Sequence, residues 1–194
     1  MLVKLRDTIN PDVIINISDA DKTLLLKEDG ADSKIKKLLI KGVPSKTFAF
    51  SLDHQPGGKD NRFFKQLSCY INAACDSGVN KGCDLVAVSE LDDGSYDVLV
   101  FDLKSNKPRK KATKKQLLNS ELYVKYLMSM LESHCQIDIS NIKYRHAIVT
   151  TDTRAVRKNP TYRPNKSVAS DTNYKVKNVT VNRAKESSVY YGAL

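Results

Sequence analysis

Apolar and polar positions are most sharply patterned between residues 82 and 105, GCDLVAVSELDDGSYDVLVFDLKS. Two apolar runs, 85–88 and 98–101, flank an acidic turn at Asp92, Asp93 and Gly94, which predicts an antiparallel hairpin with buried strands. Residues 47–52 alternate Phe48, Phe50 and Leu52 onto one face, a half-buried strand, and 143–150 alternate Tyr144, His146 and Ile148 against Arg145, Ala147 and Val149. In that strand His146 reads as a packing or solvent-facing residue, not as a general base. Helical spacing recurs in 61–74, through Phe63, Leu67, Tyr70, Ile71 and Ala74, and in 113–132. The latter has Thr113 as its cap and Leu117, Leu118, Leu122, Val124, Leu127, Met128 and Leu131 as a broad apolar face.

The N-terminal part is less legible. Residues 13–17 are strand-like, 24–26 form a short apolar run, and 32–40 have helical spacing through Ile35, Leu38 and Leu39. Residues 151–171 are polar, basic and proline-containing, hence loop, and 174–181 regain strand character through Val176, Val179 and Val181. The sum is an α/β fold: a mixed sheet built on the hairpin and flanked by two helices.

The hairpin places chemistry at one end. Asp84 precedes its first strand and Asp102 follows the second, so both fall away from the turn, and strand alternation puts Lys104 on the face of Asp102. Two carboxylates and an ammonium suit phosphodiester hydrolysis. Mg2+ wants hard oxygen ligands yet takes only one or two protein carboxylates, keeping waters and substrate phosphate oxygens. An ion so held activates water and neutralises charge developing on phosphorus. A solvent-exposed hairpin end whose charges pair with one another is the plainer alternative.

Asp84 with Asp102-Leu103-Lys104, 18 residues on, resembles the PD-(D/E)XK nuclease superfamily, which includes restriction endonucleases and archaeal Holliday-junction resolvases. Cys83 stands where the family name has proline. The resemblance implies a restriction endonuclease-like mixed sheet and a Mg2+-dependent endonuclease, Mn2+ substituting, that acts in restriction, repair or phage defence. It also implies a preference for DNA over RNA. Catalysis would rest on Asp84, Asp102 and Lys104, with Asp84 and Asp102 as metal ligands. Gln116, 12 residues past Lys104, corresponds to a glutamine that approaches the site in several branches. Many members carry a third acid on an early helix; the 61–74 segment has none, which leaves Asp53 and Asp60 as candidates. Two readings from other classes stay open: an inactive nuclease-fold module that binds nucleic acid, and a basic subunit that docks on an acidic partner protein or pairs with its own copy.

Composition and charge add the rest. The chain has 194 residues, 41% of them hydrophobic, and a formal net charge of +10. Its length predicts one core, with 1–150 as the α/β domain and 151–194 as a basic loop and strand extension packed on it. No apolar stretch approaches the length of a membrane span and residues 1–12 lack the apolar core of a signal peptide, so the expectation is a cytoplasmic protein without a membrane partner. Cys69, Cys75, Cys83 and Cys135 show no CxxC pairing and read as reduced thiols. The positive balance favours polyanions. Lys107, Arg109, Lys110, Lys111, Lys114 and Lys115 follow the hairpin with no acid among them, and Arg154, Arg157 and Lys158 open a second basic set. Both are candidate nucleic-acid contacts, with Tyr162, Tyr174, Tyr190 and Tyr191 interleaved where bases of a single strand could stack. Two tempting motifs fail. A calcium loop from Asp19 would need glycine where Leu24 stands, and a phosphate loop ending at Lys46 and Thr47 would need glycines at Ile40 and Ser45.

Overall fold

The computed structural model describes residues 1–28, 30–53, 67–68, 70–71, 78–105, 109–151 and 174–194. The strand pattern is realised as two sheets. The larger has five strands in the order β4 (Thr47–Phe50), β5 (Leu85–Glu90), β6 (Tyr96–Lys104), β7 (Ile142–Thr150) and β8 (Lys175–Asn178). The first three are antiparallel; β7 and β8 run parallel to β6. A parallel neighbour cannot be reached by a tight turn, and the helix α2 (Lys110–Cys135) supplies the crossover from β6 to β7. The second sheet orders β1 (Ile17–Ser18), β2 (Thr23–Lys27), β3 (Lys37–Lys41) and β9 (Glu186–Tyr190), with β9 parallel to β3.

The layers follow from which side chains are buried. Leu24, Leu26, Leu38 and Ile40 of the four-stranded sheet pack on Ala49, Leu85, Leu99, Phe101 and Val149 of the five-stranded sheet. The opposite face of the larger sheet, with Phe48, Phe50, Val86, Val98, Val100 and Ile148, is covered by α2 and the short helix α1 (Leu2–Thr8). Because β5 and β6 are covered on both faces, they are continuous apolar runs and not alternating ones. The hairpin turn needs positive φ at Gly94 (+79°) and is closed by Leu91 N–H donating to Ser95 O at 2.9 Å.

α2 contains no glycine or proline and ends where Gln136 adopts a left-handed conformation, φ 55°. It buries Leu117, Val124, Met128 and Leu131 at spacings of seven, four and three. The expected apolar face is therefore too broad, since Leu118 and Leu122 are 45% and 55% exposed and point to solvent. Thr113 is buried inside the helix and Arg109 takes the capping position, with no side-chain cap.

Other expectations are corrected. Residues 32–40 do not form a helix. A loop ends at β3, whose Leu38 and Ile40 point inward while Lys37 and Lys41 point out, a period of two that the adjacent Leu39 disguises. The single sheet becomes two, and α1 and β9 carry no apolar pattern strong enough to predict them. Strand-like 13–17 resolves into a 3-10 turn, an isolated bridge from Ile14 to Phe50, and the two residues of β1. The strands predicted at 47–52 and 143–150 are β4 and β7, and 174–181 contains β8. Of the expected 61–74 helix, residues 67–68 and 70–71 are described and are not helical, Leu67 N–H donating to Asn80 O and Tyr70 being 97% exposed; the rest of it lies outside the described residues, as do Cys69, Cys75 and the 152–171 loop. Among the described residues no helix is long and apolar enough to cross a membrane.

Candidate active site

The register of the hairpin pairs Leu85 with Phe101, so one step further Asp84 comes level with Asp102 at the end away from the turn. Asp102 is fully buried and Asp84 half-buried. The Leu103 N–H donates to Asp84 Oδ2, which ties the Asp84 carboxyl to the strand that carries Asp102. Lys104 Nζ lies 2.6 Å from Asp102 Oδ2. Gln116, directly after Lys115 in α2, ties the set together. Its Oε1 accepts from Lys104 Nζ at 3.1 Å, and its Nε2 donates to Asp102 Oδ1 at 3.2 Å and to Gly82 O at 2.6 Å.

Burial is the main force on these groups. It pushes the Asp84 carboxyl well above the usual range, the neighbouring Asp102 charge adds to this, and the Leu103 N–H and Lys104 pull the other way. Burial also raises Asp102, with Lys104 as the chief opposing influence. For Lys104, burial favours losing the proton, but the Asp102, Asp84 and Asp53 carboxylates together outweigh it, and the ammonium is held above its ordinary range. Burial thus pushes both carboxyls towards their protonated forms, beside a lysine whose acidic neighbours hold it charged.

Asp53 belongs to this group. It follows β4, which runs antiparallel to β5, so the segment after Phe50 lies against the segment before Leu85. Leu52 N–H donates to Cys83 O at 3.1 Å, and Asp53 lines a cleft of about 520 Å³ together with Asp84, Ser51, Asn16, Lys27 and Glu28. Its charge acts on all three neighbours. Gly82 makes the approach possible, because a Cβ there would sit 2.1 Å from Leu52 O. Asp60, the other candidate, lies outside the described residues. The far wall of the cleft comes from Ile14, Ile15 and Asn16 ahead of β1 and from Leu25, Leu26 and Lys27 of β2, segments whose apolar runs do not by themselves show that they meet the hairpin.

The remaining candidates divide. Arg109, Lys111, Lys114 and Lys115 are exposed on and before the first turns of α2, and Lys110 opens the helix. Lys107, Arg154, Arg157, Lys158 and Tyr162 lie outside the described residues. Of the tyrosines expected to interleave with the basic residues, Tyr174 and Tyr191 are buried, and Tyr190 is 67% exposed. Tyr191 cannot stack on a base: Arg145 lies over its ring at 4.6 Å and its hydroxyl meets Ser89 at 3.1 Å. His146 pairs with Glu121 across the α2–β7 contact at 2.8 Å, a packing role away from the carboxylates. Burial pushes the Cys83 thiol up to about 12, which makes it a core residue and not a nucleophile. Cys135 is a free thiol.

Comparison with known proteins matches this chain to no family model, no curated protein and no solved structure.

Proposed function

We propose that the chain is a Mg2+-dependent nuclease of the PD-(D/E)XK type that hydrolyses phosphodiester bonds, DNA in preference to RNA. The observation that carries this reading is the hairpin register that sets Asp84 level with Asp102, with the Lys104 ammonium 2.6 Å from Asp102 and Asp84 lining an open cleft. Like charges are not packed together in a fold for its stability. The order of elements agrees with a restriction endonuclease-like sheet: a hairpin carrying both acids, then a helix, then a strand parallel to the second hairpin strand.

The donors suit a hard cation. Asp84 and Asp102, level across the hairpin, offer oxygen ligands to Mg2+ or Mn2+, and Asp53 stands in the same cleft as Asp84. Among the described residues no three acidic, histidine or cysteine side chains converge at coordination distance, so the fit is to an ion that retains most of its waters. When bound, such an ion supplies Lewis acidity and an acidified water. The chain's own contribution is positioning. Gln116 and Asp102 hold the Lys104 ammonium, which keeps its proton and so offers positive charge to a phosphoryl oxygen where negative charge builds up. The first turn of α2 supports an anionic substrate as well. It holds lysines and no acid although the helix dipole favours the reverse, an arrangement that costs helix stability.

The test is incubation of the purified chain with plasmid, single-stranded DNA and RNA in Mg2+, Mn2+ or chelator. Cleavage is expected with metal only. Asp84→Ala, Asp102→Ala and Lys104→Ala are each expected to lower the rate by at least about 100-fold while substrate binding persists. Cleavage that survives in chelator, or carboxylate variants that cut as well as the wild type, would falsify the assignment.

A further inference from the structure

α2 carries more apolar surface than the sheet beneath it covers. Leu117, Val124, Met128 and Leu131 are buried on one side, and on the other Leu118, Leu122, Tyr126 and Met130 recur every fourth residue, 45%, 55%, 58% and 39% exposed. At about 100° per residue the middle of this stripe points almost directly away from the buried side. Lys125, the cation beside that middle, is drawn off it. Its ammonium lies 2.5 Å from Glu121 and 4.9 Å from the centre of the Tyr144 ring on β7. Tyr126 is braced by Tyr123, with ring centres 6.3 Å apart. Charge returns at the two ends with opposite signs: exposed Lys114 lies one turn before Leu118, and exposed Glu132 just past Met130. Five full helical turns separate these two residues, so they lie on the same flank of the stripe. Among the described residues neither Lys114 nor Glu132 forms an ion pair.

We propose that this face is covered by a second copy of the chain, the two α2 helices lying antiparallel about a two-fold axis at the level of Val124. The stripe read backwards is the same stripe. Leu118 of one copy comes level with Met130 of the other, and Leu122 with Tyr126. Lys114 falls within about 3 Å of the level of Glu132, a step that two long side chains span, and the axis makes that pair twice. An isologous interface requires this self-complementarity, because each patch must meet its own counterpart on the mate. Parallel pairing would instead set Lys114 against Lys114 and Glu132 against Glu132. Antiparallel pairing also places the lysine end of each helix beside the negative C-terminal end of the other, which offsets the cost of lysines at a helix N-terminus. Nucleic acid or an anionic membrane would satisfy the lysines but set Glu132 against negative charge. A single helix pair with a stripe of about 18 Å buries less than the roughly 1,200 Å² of a standard interface, so the dimer forms reversibly. None of this depends on the nuclease reading.

The test is sedimentation velocity of the full chain from micromolar to millimolar concentration. The wild type is expected to pass reversibly from monomer to dimer. Leu122→Lys, at an exposed position, is expected to keep the wild-type Tm and to weaken the dimer at least about tenfold. Lys114→Glu and Glu132→Lys are each expected to weaken it, and the two together to restore it, because the exchanged charges meet again across the axis. A wild type that stays monomeric throughout overturns the proposal. So does a dimer that Leu122→Lys leaves unchanged, or a double variant that associates no better than the single ones. Flotation with phosphatidylserine vesicles runs alongside: a monomeric chain that binds them through Leu122 assigns the stripe to a membrane surface and overturns the second copy.

Discussion

Replacing Gly82 by alanine tests whether the site depends on the close passage of two backbone segments. A Cβ at this position would lie 2.1 Å from Leu52 O, 2.7 Å from Leu52 C and 2.9 Å from Leu52 Cβ. None of these is the free end of a flexible side chain, so the segments must separate by roughly 1 Å to reach ordinary contact. That movement strains the 3.1 Å Leu52–Cys83 hydrogen bond and shifts the Gly82 carbonyl that receives Gln116. Overpacking of this kind costs about 1–3 kcal/mol, reduced by the smaller entropy of the unfolded alanine chain, about 0.4–1 kcal/mol. At 2–4 °C per kcal/mol for a chain of this size, Tm is expected to fall by up to about 10 °C. The site is expected to suffer more than the fold, because Gly82 and Leu52 lead directly to Asp84 and Asp53. Gly192→Ala, which has open space around the new carbon, serves as the control and is expected to change stability by less than about 0.5 kcal/mol. Calorimetry with a parallel nuclease assay checks both. A Gly82→Ala protein with wild-type Tm and wild-type cleavage would refute the argument that this contact sets the site.

Two further outcomes follow from the electrostatics. With no metal, the raised Asp84 and Asp102 groups contribute stability that is fully present below the unfolded carboxyl pKa of about 3.9 and lost as pH rises through their folded values. Asp84→Asn is therefore expected to gain Tm over the wild type increasingly as pH rises toward neutrality, and Mg2+ is expected to restore the wild type; Tm profiles with the same pH dependence for both chains would count against a shared proton. Replacing Lys110, Lys111, Lys114 and Lys115 together by alanine removes like charges from a helix N-terminus, so stability is expected to hold or rise by about 0.3–1 kcal/mol. Nucleic-acid affinity and its salt slope are expected to fall in the same variant, and unchanged binding curves would move the phosphate contacts elsewhere.

The sequence by itself determined the β5–β6 hairpin, the existence of α2 and the neighbourhood of Asp84, Asp102 and Lys104. The reason is physical: a hairpin's register is set by its own turn and apolar pattern, and a 26-residue helix by its own periodicity. Gln116 joined that set by lying on the crossover helix that leaves β6. Tertiary structure decided everything that depends on distant pairing. β3 lies between β2 and β9, the latter some 149 residues away, and those two partners make a strand of a segment whose Ile35, Leu38 and Leu39 have helical spacing. It decided too that Leu118 and Leu122 face solvent, because a helix packs one stripe on a sheet and the sequence supplied more leucine than one stripe holds. Asp53 and the Lys27–Leu25 wall came to the cleft of Asp84 by the same route: antiparallel pairing of β4 with β5, and packing of a second sheet that local sequence does not announce, because its strands are short and their partners lie far apart in the chain.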